Sequence, residues 1–130
     1  MVKVYTIGYA EREISDFINI LKKHNVTVLV DIRRFPKSKY PAFEKENLKS
    51  ILEKNGLKYV FLGESLGGFV KGGYEKYMKT QKFRDGFKVL LDLIEKETVM
   101  LMCREKKAKY CHRRFIANLL EKLGIKVIHL

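Results

Sequence analysis

Short apolar runs alternate along this chain with longer stretches in which apolar residues recur every three or four positions. That alternation predicts strands and helices in turn. Val2 to Ile7 reads as a first strand, closed by Gly8. Ile14, Phe17, Ile18 and Leu21 share one face of a helix that ends near His24 and Asn25, with His24 as its C-terminal cap. From Val26 to Ile32 the residues Val26, Val28, Leu29 and Val30 leave little room for polar positions, the pattern of a strand buried on both faces. Leu48, Ile51 and Leu52 mark a second helix capped by Gly56, and Leu57 to Leu62 reads as a third strand.

Glycines then crowd together at Gly63, Gly67, Gly68, Gly72 and Gly73, which predicts a loop. Phe83, Phe87, Leu90, Leu91 and Ile94 form the stripe of the next helix, and Thr98 to Met102 is a fourth strand. Phe115, Ile116, Leu119, Leu120 and Leu123 mark a last helix with Gly124 at its end, and Ile125 to Leu130 closes as a fifth strand. Strands that alternate with helices, and that are apolar almost throughout, predict a mostly parallel sheet of about five strands covered by helices on both faces. The expected architecture is one three-layer α/β domain over residues 1–130, with no internal repeat.

Composition adds limits. A chain of 130 residues suits one core, and 46% hydrophobic with 32% charged residues fits a globular protein rather than a disordered one. No run of about 18 apolar residues suggests a membrane span. The chain enters its first strand without a signal-peptide layout, so a cytoplasmic setting is expected, where Cys103 and Cys111 meet a reducing environment. The formal net charge of +12 favours anionic partners such as nucleic acid, nucleotides or phosphorylated metabolites. Its bland counterpart is a thermophile's surface, rich in Lys and Glu, with Gln81 as the only glutamine. The lysines are spread along the whole chain, which favours solvated surface over a nucleic-acid face.

In open α/β sheets ligands bind beyond the carboxyl ends of the strands, so the residues that follow each strand carry the functional expectation. They are Gly8 and Tyr9; Asp31-Ile32-Arg33-Arg34 with Ser38; Gly63-Glu64 leading to Gly67-Gly68; Cys103-Arg104-Glu105 with Cys111-His112-Arg113-Arg114; and His129. Both cysteines, two of three histidines and several arginines and acids thus fall on one rim.

These segments make the chain resemble the family of domain of unknown function 488. The likeness runs from Thr6-Ile7-Gly8-Tyr9 through Val30-Asp31-Ile32-Arg33, with Pro36 and Ser38, to Leu62-Gly63-Glu64-Ser65-Leu66-Gly67-Gly68 and Tyr77-Met78. It ends with Leu101-Met102-Cys103-Arg104-Glu105, Cys111-His112-Arg113 and Val127-Ile128-His129. The resemblance implies a flavodoxin-like or Rossmann-like fold and supplies no reaction. Arg104 stands where members often carry a small residue, and Tyr9 where many carry histidine.

Each candidate has two readings. Cys111, expected in the first turn of a helix beside Arg113 and Arg114, is placed to form a thiolate, with His112 or His129 as its base. Cys103 is the second candidate nucleophile; equally, both cysteines suit a core or a mutual bridge in a hyperthermophile. No cofactor is implied. Zinc on Cys103, Cys111, His112 and His129 fits the ligand types but not the usual short spacings.

Arg33 and Arg113 can hold a phosphate or carboxylate, aided by free amides near Tyr110 and Cys111, or can pair locally with Asp31, Glu64 and Glu105. Asp31 and Glu64 suit an acid–base pair or a ribose contact, and Glu105 can orient a partner. Gly8, Tyr9, Ser38, Gly67 and Gly68 are expected to touch a ligand, with Phe69 and Tyr74 able to cover it. Neither a dinucleotide fingerprint nor a phosphate loop follows a strand.

Two functions fit this rim. One is a small enzyme with a Cys/His/Glu/Arg site for a phosphate-bearing or nucleotide-like substrate. The other is a non-catalytic module for nucleic acid or a nucleotide. No membrane partner is expected, and the pattern says nothing of oligomeric state.

Overall fold

A computed structural model describes residues 2–130. Its strands are β1 Lys3–Gly8, β2 Val28–Asp31, β3 Lys58–Phe61, β4 Val99–Cys103 and β5 Lys126–His129. Its helices are α1 Ile14–Lys23, α2 Lys45–Lys54, α3 Gly63–Leu66, α4 Tyr74–Tyr77, α5 Gln81–Lys96 and α6 Arg113–Lys122. All strand pairings are parallel, in the order β3-β2-β4-β1-β5. This is the expected parallel sheet between helical layers.

Strand residues alternate between the two faces, and each face has its own core. Tyr5, Ile7, Leu29, Met100 and Met102 pack with Phe17 and Leu21 of α1 and Leu48 and Leu52 of α2. Val4, Val28, Val30, Val99 and Leu101 pack instead with Phe87 and Leu90 of α5 and Ile116 and Leu120 of α6. Most of these side chains are wholly buried, each contributing roughly 1.5–3 kcal/mol by leaving water. That burial on both faces explains why the strand segments lack a polar alternation.

The strand order decides which loops meet at the carboxyl ends of the strands. From β1 the chain winds outward through β2 to β3, then crosses back so that β4 lies between β2 and β1. Neither the 3-2-1-4-5 nor the 2-1-3-4-5 order of familiar dinucleotide and flavin folds has this arrangement. Gly8 is in register with Cys103, and Asp31 with Met102, so three strand ends finish level with one another. Cys103 shares the face of Val99 and Leu101 and therefore points toward α6.

The glycine-rich stretch expected as a loop contains the short helices α3 and α4 at its borders. Helix α6 begins at Arg113, two residues later than the sequence suggested, so Cys111 precedes its cap residue His112. The amides of Tyr110 and Cys111 are not free, as expected of a helix start. They donate to the carbonyls of Lys107 and Ala108 in a 3-10 turn. Among the described residues no helix is long and apolar enough to cross a membrane.

Candidate functional site

Two adjoining hollows open at the carboxyl ends of β1, β2 and β4, with volumes of about 460 and 620 Å3. They share Tyr9, Lys37, Arg104 and Glu105 as a common wall. The smaller is lined further by Cys103, Cys111, His112, Arg33, Arg34 and Gly68. The larger is lined by Ser38, Lys39, Tyr40 and Lys106.

Cys103 and Cys111 are joined as a disulfide, the bridge that the sequence allowed as one alternative. Both cysteines are buried. The backbone N–H of Arg113, at the start of α6, donates to the sulfur of Cys111 at 3.5 Å. His112 Nε2 lies 2.9 Å from the Ile32 carbonyl, which can only accept. That bond puts the ring proton on Nε2 and leaves the bare Nδ1 facing the Cys111 sulfur at 3.6 Å. Burial pushes the His112 pKa down to about 4; the Ile32 bond opposes this, while the charges of Arg34 and Arg113 add to it. The imidazole is therefore neutral at physiological pH.

Gly68 makes room for this ring. A Cβ there would stand 3.0 Å from His112 Nδ1, so a side chain would press on the atom that faces the sulfur. Gly8 meets a harder limit, since a Cβ would lie 1.8 Å from the Glu105 carbonyl oxygen. Its role is to let the loop after β4 pass close over β1. The Gly67 and Gly68 carbonyls accept from Arg34 at 3.2 and 2.7 Å, which fastens the glycine-rich loop to the end of β2.

Asp31 and Arg33 pair with each other. Arg33 Nε and Nη2 donate to the two carboxylate oxygens at 2.9 and 2.7 Å, and Tyr59 donates its hydroxyl to Asp31 at 2.6 Å. Arg33 Nη1 also donates to the Phe43 carbonyl at 2.7 Å. Burial opposes the Arg33 charge, yet its bonds to Asp31 and the Asp31 charge raise its pKa overall. Desolvation first, and then the Asp31 charge, push the Tyr59 hydroxyl well up. Asp31 is wholly buried and spends its oxygens on these donors, so it is a brace for Arg33 rather than a group facing the cleft. The Arg33 guanidinium lies over the Tyr9 ring, which itself stacks on Phe43. Tyr9 thus forms a rigid wall of the cleft.

Arg113 lies beneath the loop after β4, wholly buried, with Nη2 donating to the Lys106 carbonyl at 3.0 Å. Its Nε and Nη1 have no partner. Burial lowers its pKa to about 10, the Arg12 charge adds to this, and Glu105 counters it. Its charge also reaches His112 and His129, disfavouring their protonated forms.

Other expected members stand apart. Glu64 is exposed on α3 and lines a separate hollow with Lys82 and Asp85, so it forms no pair with Asp31. His129 ends the edge strand β5 and bonds Thr6 Oγ1 across to β1; it lines neither lobe of the cleft. Glu105 is exposed and lines both lobes. Ser38 accepts from the Tyr40 amide at 3.0 Å at the outer lobe. Tyr74 does not cover the site, because its ring is core against His112 and Phe115 and its hydroxyl donates to the Leu66 carbonyl at 2.7 Å.

The zinc set is not assembled. The two sulfurs bond each other, His112 Nε2 is on Ile32, and His129 is on Thr6. Among the described residues no cluster of three or more His, Cys, Asp or Glu side chains converges as a metal site needs.

Arg34, Lys37, Arg104 and Tyr110 line the cleft although the sequence singled them out weakly or not at all. The signal available for them was position alone, each falling in a loop just after β2 or β4.

The family model described as domain of unknown function DUF488 matches residues 13–120. No curated protein matches the chain.

Proposed function

We propose, for a chain that belongs to the family of domain of unknown function DUF488, that the cleft holds a small thiol enzyme for a phosphate-bearing or nucleotide-like substrate. The observation that carries this reading is the Cys111–His112 contact, with the ring tautomer held by Ile32 so that the bare Nδ1 faces the sulfur. In the bridged state the nucleophile is masked. A dithiol reductant supplies two electrons and two protons, freeing both thiols and leaving as its own disulfide.

As Cys111 attacks the electrophilic centre of the substrate, its S–H proton passes to His112 Nδ1. The new bond is from sulfur to the transferred group, the bond to the leaving group breaks, and His112 returns the proton to that leaving group. Water, deprotonated by His112, releases the group as its hydroxylated product and restores the Cys111 thiol. The N–H of Arg113, the start of α6 and the buried Arg113 charge favour the thiolate. Lys37 and Arg104 are the side chains available for an anionic substrate, since Arg33 is spent on Asp31 and Phe43. Glu105 orients groups at the shared wall of the two lobes.

The proposed setting is the cytosol. A composition rich in Lys and Glu supports a heat-adapted source, where intracellular bridges persist. A binding module that makes and breaks no bond would use the same lysines and arginines and leave the thiols idle.

The test is alkylation of each cysteine against pH on reduced protein, followed by mass spectrometry. Cys111 is expected to react well below the usual thiol value of about 8.5, and Arg113→Met to shift that profile upward. Phosphate release from nucleoside mono-, di- and triphosphates should be lost in Cys111→Ser. An ordinary alkylation profile for Cys111 would overturn the reading.

A further inference from the structure

The chain has fifteen phenylalanines and tyrosines, and the fold buries eleven of them wholly or in part. The four exposed rings are Phe35, Tyr40, Phe69 and Tyr110, at 64%, 49%, 90% and 67% exposure. All four line the two lobes of the cleft or lie on their rim, though they come from three different loops. Chance placement of exposed aromatics would scatter them over the surface. Here none lies elsewhere among the described residues.

Phe69 is the most telling. Its φ is 58°, in the left-handed region that a residue with a Cβ adopts at a cost, and its ring is almost bare of packing. Two unfavourable features thus coincide on one side chain, held outward beside Phe35 with ring centroids 6.0 Å apart. Folding alone supplies no reason for either.

Cations interleave with the rings. Lys39 lies over Tyr40 and Lys109 over Tyr110, with ammonium-to-centroid distances of 5.3 and 5.1 Å. Lys37 and Arg104 stand along the shared wall, and Lys106 lines the larger lobe. Only Glu11 and Glu105 oppose these charges among the lining acids, and Glu11 already pairs with Lys106 at 3.6 Å.

We infer that this rim is a binding surface for single-stranded nucleic acid, with bases stacked on the exposed rings and backbone phosphates on the interleaved lysines and Arg104. A stacking ring accepts any base because every base has a π face, and a strand rather than a duplex presents those faces. Separate rings set around a cleft, two of them beneath a lysine, match alternating bases and phosphates. An apolar protein partner would instead favour a continuous apolar patch with few cations. The surface goes beyond the thiol reading; only the further step, that the substrate of Cys111 is a nucleotide within such a strand, rests on that reading.

The test is fluorescence anisotropy with labelled twelve-residue oligo-dT and oligo-U, and with a duplex of equal length. Both single strands are expected to bind more tightly than the duplex. Affinity should fall with salt at a logarithmic slope of about −3, as for some four neutralised phosphates. Phe69→Ala and Tyr110→Ala should each weaken strand binding about tenfold. Leu123→Ala, which trims an exposed apolar side chain off the rim, should leave it unchanged. Binding is read without reductant, where the two sulfurs are bridged and Cys111 is masked, so that a failed alkylation test and a failed binding test remain distinct. No binding at low salt would overturn the inference. So would equal binding of strand and duplex that the aromatic changes leave untouched, since that marks a general basic surface.

Discussion

His112 Nε2 donates to the carbonyl of Ile32 at 2.9 Å, tying the residue that caps α6 to the end of β2 across eighty positions of sequence. The bond selects the tautomer, and burial keeps the ring neutral down to a pKa of about 4. Between that value and the ordinary 6.5, the unfolded chain takes up a proton that the native ring refuses. The contribution of His112 is therefore fully present above about pH 6.5 and is lost as pH falls toward 4. Melting curves of the parent and of His112→Gln at about pH 7 and pH 4.5 check this. The parent should lose more of its Tm on acidification than the variant does. Equal losses would remove His112 as a cause.

Asp31→Asn should be among the most damaging single changes. It leaves the Arg33 charge buried with only the Phe43 carbonyl at full strength, and it weakens the Tyr59 bond. Breaking a buried pair in this way costs about 3–5 kcal/mol, a drop in Tm on the order of 10 °C or more. Adding Arg33→Met to Asp31→Asn should recover part of the loss, because the stranded charge is then gone. Thermal denaturation of the single and double variants measures both.

Opening the bridge between Cys103 and Cys111 should lower stability without unfolding the protein. The bridge closes a short loop, with a sequence separation of 8, and restricting such a loop in the unfolded chain is worth about 2.5 kcal/mol. The two cores on either face of the sheet do not depend on it. Melting with and without a phosphine reductant, with thiol state checked by mass, should show a Tm lower by roughly 5–10 °C in the reduced protein. An unchanged Tm with both thiols free would contradict this.

Arg113→Met should separate stability from reactivity. The parent buries a guanidinium with two unpartnered nitrogens, and an apolar chain of similar length avoids that cost. The variant is expected to melt at or above the parent temperature. In the same reduced variant, alkylation of Cys111 should move to higher pH by about half a unit or more, because a nearby positive charge has gone. A Tm well below the parent would mean that the bond to the Lys106 carbonyl outweighs the buried charge.

Much of the architecture is local in origin and was therefore legible in the residues. The apolar stripes of α1, α5 and α6 recur at helical spacing, and β2 and β4 are apolar because both their faces are covered. The rule that strand ends face ligands placed Cys103, Cys111, His112 and Tyr9 at one rim. Helix starts and loop interiors were less readable. Periodicity does not show that a 3-10 turn takes up the Tyr110 and Cys111 amides before α6 begins.

Side-chain partners lay further still from local pattern. Asp31 and Glu64 both follow strands, yet one is sealed against Arg33 and Tyr59 and the other points to solvent on α3. Tyr74 and Phe69 sit in the same glycine-rich segment, and only packing makes one a core ring and the other a bare one.

By itself, the sequence determined the strand and helix segments, the parallel sheet and the end of it where Tyr9, Cys103, Cys111 and His112 gather. Those follow from side-chain periodicity within a window of a dozen residues. Tertiary structure alone decided that β4 enters between β1 and β2, that Cys103 meets Cys111, that Ile32 sets the His112 proton and that four bare rings share one cleft. Each of these joins residues far apart in the chain or sets how loops fold over one another. Such choices depend on the packing of the whole core, which no short window of sequence contains.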